Sequence, residues 1–531
     1  MADAVYEEMN ETYRIITPST LNRNQTGELL GMISVLLGGW FRIYPAFLAG
    51  FPVNDGGMFY TMIMDIQANH FWLPFYTSYN SLNIPFAYPP LAFYVGAIIN
   101  SLFHVPPVEI VRWLPGVMNT FCLVAFYFLA REIMADNLFG GVSTFVYAMI
   151  PHMYEWPSMG GGLTRSFGML FMILTVLCAY RLFKNENQKY FRLTVVFGSL
   201  AILSHPESIV YTLGVCVCVW LDKSRTFKGF RYGIYTSIWI LLITMPWYGM
   251  IVYRHGVDVL VSAIQTGKHS LWSSMMLVNM DGITSEAYLD LLGVICVLGI
   301  AVLIVRKEYF IPLALIVIYM IGPRSAHTIG NIMLALGGGF FITEVILPSI
   351  NNSKRGLIIL LAITLPYLFI NSAYQGYLIA QNHVGIPDRA AMRWVSQYTA
   401  VNRRFLILTG NTDAMCDSVS EWFPALTNRN SLVTVQGREW LLGGRFEEFI
   451  AKRVEIQQCI NEDVECINQK IEYFAKDIDY IYISDKSTMF RCVPNTTISQ
   501  TMPNVVKKLK LSPGYFLVYE QNDVFIFENR R

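Results

Sequence analysis

Apolar stretches recur near residues 29–50, 109–130, 139–154, 166–183, 190–204, 207–221, 232–252, 286–304, 309–321, 327–348 and 356–373. A hydrocarbon core about 30 Å thick takes roughly 20 residues of helix to cross. Several of these stretches are shorter, and the 190–221 pair is split only by Ser204-His205-Pro206-Glu207. Backbone in lipid has no water to bond to, so such runs must become helices. Charge then falls away from them: residues 378–531 carry 18 basic and 18 acidic side chains, against 41 charged residues in the preceding 377. The expected organisation is a cytoplasmic segment 1–28, a transmembrane domain 29–377 of about 11 helices, and a C-terminal extracytoplasmic domain 378–531. Overall, 39 basic against 38 acidic residues give no electrostatic case for binding nucleic acid.

Orientation follows from Lys and Arg in the short loops. One alternate set of loops holds 13 of them, among them Arg131, Arg181, Lys184, Lys223, Arg231 and Arg306. The other set holds Arg165, Arg254, Lys268 and Arg324. The first set is read as cytoplasmic together with the N-terminus, and an odd number of spans places 378–531 outside. The N-terminus is polar and acidic (Glu7, Glu8, Glu11) and lacks the pattern of a cleavable signal peptide. Residues 51–108 become one long outer loop without Lys or Arg, and its apolar piece 90–97 is read as a helix at the outer surface.

Past Tyr377 the pattern is that of a small α/β domain. A helix is expected over 389–399 and helical structure over 445–475. Strands are expected at 404–410, 432–435 and 480–484, with a hairpin formed by 515–519 and 524–527. Four cysteines (Cys416, Cys459, Cys466, Cys492) fall in this domain. An even number outside the cell points to two disulfides. Zinc is the rival, although no CxxC or paired histidine accompanies them. On a continuous helix Cys459 and Cys466 would stand about 10 Å apart along the axis, so their pairing would require a break near Asn461-Glu462-Asp463.

Ionisable groups at the outer membrane face are the candidates for chemistry, since charge beside lipid is costly. Asn54-Asp55-Gly56-Gly57 follows the first span directly and leads into the aromatic run containing Tyr60. Taken alone, Asp55 also fits a helix N-cap. Tyr88-Pro89-Pro90-Leu91 lies later in the same loop. Glu155 and Arg165 flank the triple glycine 160–162, which is able to wrap an anion. His205 and Glu207 sit at an outer turn, and Arg324 and His327 at the outer end of a late span.

The topology, the Asp after the first span, Tyr88-Pro89-Pro90-Leu91, the outer Arg324 and the appended domain together resemble the GT-C superfamily of membrane glycosyltransferases. The resemblance is to its mannosyltransferase-like and RgtA/B/C/D-like group, related to protein O-mannosyltransferases and aminoarabinose transferases. The stretch 420–426, Ser-Glu-Trp-Phe-Pro-Ala-Leu, is similar to a segment recurring in that group, with no chemistry assigned to it. The resemblance implies inverting transfer of a sugar from a polyprenyl-phosphate donor to a lipid, glycan or protein acceptor at the outer face of the cell membrane. It implies Asp55 as the catalytic base, and Arg324, with Arg165 and His327, as the donor-phosphate site. Tyr60, Tyr88, Glu155, His205 and Glu207 are then substrate-pocket candidates. A divalent metal (Mg or Mn) on Asp55 and Glu155 is left open, because the DxD or Asp-Glu pair of some members is missing.

The competing class is a transporter or flippase, which predicts internal repeats, interrupted helices and mid-span ionisable residues. No repeat is found. Arg42 is the main charged residue inside a stretch, and Gly337-Gly338-Gly339 would either interrupt a helix or pack it tightly.

Overall fold

The structure, a computed structural model, describes residues 22–265, 283–350, 353–475, 477–486, 489–490, 492–494 and 502–530. Glu7, Glu8, Glu11 and Lys268 lie outside the described residues, as does the side chain of Arg324. Helices stand at every apolar stretch. In chain order they are α1 (Arg23–Ala49), α2 (Gly57–Ala68), α3 (Leu91–Phe103), α4 (Pro107–Met134), α5 (Asn137–Met149), α6 (Gly162–Asn185), α7 (Gln188–Ile202), α8 (Pro206–Lys223), α9 (Phe227–His255), α10 (Leu291–Val305), α11 (Phe310–Ile321), α12 (Pro323–Phe341) and α13 (Lys354–Ala380). Among the described residues, six helical segments are by themselves long and apolar enough to cross a membrane, and the chain is a multi-pass membrane protein. The short α3 has 13 residues, about 20 Å of helix. It lays Ala92, Phe93, Gly96 and Ala97 inward, and Gly96 packs against Ile63 of α2.

A boundary moves. The stretch 286–304 becomes helical only from Leu291, because the Asp290 carboxylate accepts the Gly293 N–H at 3.2 Å and caps the helix there. Gly337-Gly338-Gly339 does not interrupt α12. A Cβ on Gly299 would lie 1.9 Å from the Gly337 carbonyl oxygen, so these glycines let α10 approach α12. A single π turn at Ile342–Ile346 follows. Arg42, fully buried in α1, donates to Gly38 O (2.9 Å), Ala148 O (3.4 Å) and Asn119 Oδ1 (3.2 Å), beside the rings of Tyr147 and Tyr154.

The C-terminal region builds a five-stranded sheet from β1 (Arg404–Leu408), β2 (Asn430–Ser431), β3 (Tyr480–Ser484), β4 (Tyr515–Gln521) and β5 (Val524–Asn529), in the order β2-β1-β3-β5-β4. β1 is parallel to β2 and β3, while β5 is antiparallel to β3 and β4. β4 and β5 turn on Asn522 and Asp523, both with positive φ, as a tight hairpin demands. The expected strand at 432–435 is corrected: pairing ends at Ser431. Leu432 still donates its N–H to Phe405 O at 3.0 Å, but the Arg438 guanidinium takes the carbonyls of Ser431, Leu432 and Thr434. The chain between β1 and β2 forms α14 (Ser418–Thr427), and α15 (Phe446–Gln458) follows β2. Cys416 pairs with Cys492, and Cys459 with Cys466. The second pair forms because α15 stops at Gln458 and the next helix starts at Val464, with Glu462 off helical geometry between them. One apolar core runs through this sheet and into the segment between α1 and α4, taking in Phe51, Met62 and Phe86 together with Phe405, Trp422 and Ile481.

Candidate functional site

α1 closes at Gly50, and the five residues before α2 are tied down from three directions. Val53 accepts the Gly160 N–H at 2.9 Å. Asn54 donates its N–H to Asn382 O (2.6 Å) and its amide to Met415 O (3.0 Å), while Trp422 Nε1 donates to Asn54 O at 3.0 Å. Asn54 has φ 54° and Gly56 φ 124°, conformations that favour Asn and Gly. The result turns Asp55 away from α2. Its carboxylate does not cap that helix: Oδ1 accepts the Gly161 N–H at 2.8 Å instead.

The triple glycine therefore wraps an anion, and the anion is Asp55. A Cβ on Gly161 would sit 2.0 Å from Asp55 Oδ2, and one on Gly160 1.9 Å from Asp55 O. One turn into α6, Arg165 places Nη1 3.9 Å from Asp55 Oδ2, with its guanidinium over the Trp156 ring. That Nη1 is shielded from solvent and makes no hydrogen bond. Burial pushes the Asp55 carboxyl above the ordinary carboxylate range, while the Arg165 charge and the Gly161 N–H pull it back down.

Beside Arg165, the Tyr88 hydroxyl lies 3.1 Å from His205 Nδ1, which Thr164 Oγ1 also approaches at 3.3 Å. His205 Nε2 stands 3.8 Å from Glu207 Oε2, and Ser325 donates to the same carboxylate. Burial raises the Tyr88 phenol to about 12, with the Arg165 charge acting against it. Phe59 and Trp440 pack edge-on to Tyr88. Tyr60 lies on the same wall, 5.9 Å from the Trp422 ring. Asp55, Arg165, Tyr88, His205 and Glu207 thus come from four separate chain segments into one polar patch, with Asp55 and His205 buried and Arg165, Tyr88 and Glu207 half-buried.

Other candidates go elsewhere. Glu155 pairs with His152 at 3.2 Å, and His152 also meets Ser285. The His327 ring lies between those of His152 and Tyr319, with centroids 5.8 and 6.1 Å away. The Asp55 carboxylate is turned to Gly161 and that of Glu155 to His152, and among the described residues no three metal-type ligands converge. Arg254 ties down the loop between α1 and α4 by donating to the carbonyls of Leu73 and Pro74.

Sequence reasoning left Glu421 without a role. Its carboxylate accepts the N–H groups of Gly57 (2.9 Å) and Met58 (3.2 Å), supplying the α2 cap that Asp55 does not. Burial raises its carboxyl to about 8, and the nearby Asp55 charge adds to the rise. An acidic residue inside the apolar run Trp422-Phe423-Pro424 was the available signal.

The family model for dolichyl-phosphate-mannose-protein mannosyltransferase matches residues 87–249. Among solved structures, ArnT from Cupriavidus metallidurans in the apo state matches at 13% identity and TM-score 0.55, covering 94% of this chain and 98% of that one. The same protein bound to undecaprenyl phosphate matches at 11% identity and TM-score 0.57, covering 94% and 97%. A structure of the arabinofuranosyltransferase AftD from Mycobacteria matches at 14% identity and TM-score 0.52, covering 97% of this chain and 42% of that one. No curated protein sequence matches the chain.

Proposed function

We propose, for a chain that by its fold and its family-model match belongs to the GT-C superfamily of membrane glycosyltransferases, that it transfers a sugar from a polyprenyl-phosphate donor at the outer membrane face. The observation that carries this reading is Asp55: a buried carboxylate, 7% exposed, in the loop after α1, 3.9 Å from an arginine with a free donor. A base for an acceptor hydroxyl and a cation for a departing phosphate are the two groups that such a displacement needs.

In this reading Asp55 takes the proton of the acceptor hydroxyl as its oxygen attacks the anomeric carbon. The bond from that carbon to the phosphate oxygen breaks, the electron pair leaves with the polyprenyl phosphate, and Arg165 neutralises it. One displacement inverts the configuration. A carboxyl raised towards neutrality is a better base than an ordinary one. Tyr88, His205 and Glu207 offer hydrogen bonds to the sugar hydroxyls. The undecaprenyl phosphate bound in the ArnT complex supports a polyprenyl-phosphate donor. The bias of loop cations supports a cytoplasmic N-terminus and an outer sheet region, with a lipid, glycan or protein as acceptor. The test is transfer of labelled sugar from a synthetic polyprenyl-phosphate donor by purified protein in vesicles. Solute counterflow without transfer would replace this reading with transport.

A further inference from the structure

The first turn of a helix leaves N–H groups without intrahelical partners. At α2 these belong to Gly57 and Met58, and the residues just before them supply nothing: Gly56 has no side chain, and the Asp55 carboxylate is committed to Gly161. The acceptor comes instead from Glu421, 364 residues away in sequence from Gly57. The contact is shaped from both sides. A Cβ on Gly57 would fall 2.9 Å from the Glu421 carbonyl oxygen and 3.1 Å from Oε2. The Tyr79 hydroxyl holds that same carbonyl at 2.5 Å, and the next residue, Trp422, holds Asn54 O.

Behind Glu421 the support is equally fixed. Asp417 caps α14 at Ser420 (3.1 Å), accepts Thr409 Oγ1 at the end of β1 (2.7 Å) and forms a fully buried ion pair with Arg453 of α15. A continuous set of bonds therefore runs from the outer sheet through α14 to the start of α2, two residues from Asp55. A buried carboxyl is a costly way to cap a helix. A Ser or Asn at position 56 would cap it locally, but it would need the backbone that Gly56 uses to turn Asp55 toward Gly161.

We infer that Glu421 is a positioning residue for Asp55: by clamping the first turn of α2 it fixes the carboxylate against Gly161, so the outer sheet region forms part of the catalytic apparatus. The inference rests on Asp55 being the base, and a double-mutant cycle separates the two. Glu421→Ala should lower kcat by up to about 10²-fold, the usual cost of a slightly misplaced reacting group, while KM for the donor changes little. Glu421→Gln, which keeps an acceptor oxygen, should recover most of that loss. Asp55→Asn/Glu421→Ala should be no slower than Asp55→Asn alone, because both act through one carboxylate. If Glu421→Ala does not fold, Glu421→Asp, with its carboxyl drawn back by one methylene, takes its place in the cycle. Losses that multiply, or Glu421→Ala (or Glu421→Asp in its place) with wild-type kcat beside an inactive Asp55→Asn, would overturn the inference. A fully active Asp55→Asn would instead overturn the base assignment.

Discussion

Gly161 donates its backbone N–H to Oδ1 of Asp55 at 2.8 Å, and it has room to do so only because it lacks a side chain. The bond joins the loop after α1 to the start of α6 and leaves the second carboxylate oxygen facing Arg165.

Asp55→Asn keeps an acceptor for Gly161 and removes the proposed base. Sugar transfer should fall by roughly 10²–10⁴-fold while thermal stability and donor binding stay near wild type. Near-normal turnover would send the search for the base to Glu207.

Gly161→Ala introduces no backbone strain, since Gly161 has φ −68°, but its Cβ would lie 2.0 Å from Asp55 Oδ2. The carboxylate must move, so kcat should drop steeply. Gly233→Ala, whose Cβ meets nothing within 4 Å, is the control. It should be as active as wild type and more stable by about 0.5–1 kcal/mol, the usual gain of Ala over Gly in a helix.

Arg165→Lys keeps the charge and loses the planar fork that matches phosphate. Losing a charged hydrogen bond, about 1.5 kcal/mol or more, should raise KM for the donor about tenfold. Unchanged donor kinetics would move the phosphate to another cation, with Arg324 tested next.

Glu421 sets a pH dependence. The folded protein holds its proton to about pH 8, whereas the unfolded chain gives it up near 4.5. The unfolded state therefore binds fewer protons across that window, and stability falls as pH rises through it and levels off above. The melting temperature of wild type should decline from pH 5 to 8 (about the span between the two values) more than that of Glu421→Gln. Parallel curves would show that Glu421 titrates normally.

The two disulfides should differ in weight. Cys416–Cys492 spans 76 residues and Cys459–Cys466 spans 7. Loop-closure entropy gives roughly 4–5 and roughly 2 kcal/mol respectively. Replacing the first pair by serine should lower the melting temperature more than replacing the second, and the reverse order would contradict the entropic account.

The chain's apolar runs were enough to locate its helices, because a run in lipid satisfies its backbone within itself and needs no knowledge of its neighbours. The same holds for β1, β3 and the β4–β5 hairpin, whose alternation and turn residues are local signals. The place of Asp55 directly after α1 and the presence of Arg165, Tyr88, His205 and Glu207 at outer turns were likewise legible in order along the sequence. Tertiary structure alone decided which of these meet. It put His327 and Glu155 with His152, turned Asp55 from a helix cap into the partner of Gly161, and gave the cap to Glu421 from the far end of the chain. Periodicity records which face of an element is buried. Which distant residue supplies an acceptor to an unsatisfied N–H depends on how those faces dock, and no local pattern carries that.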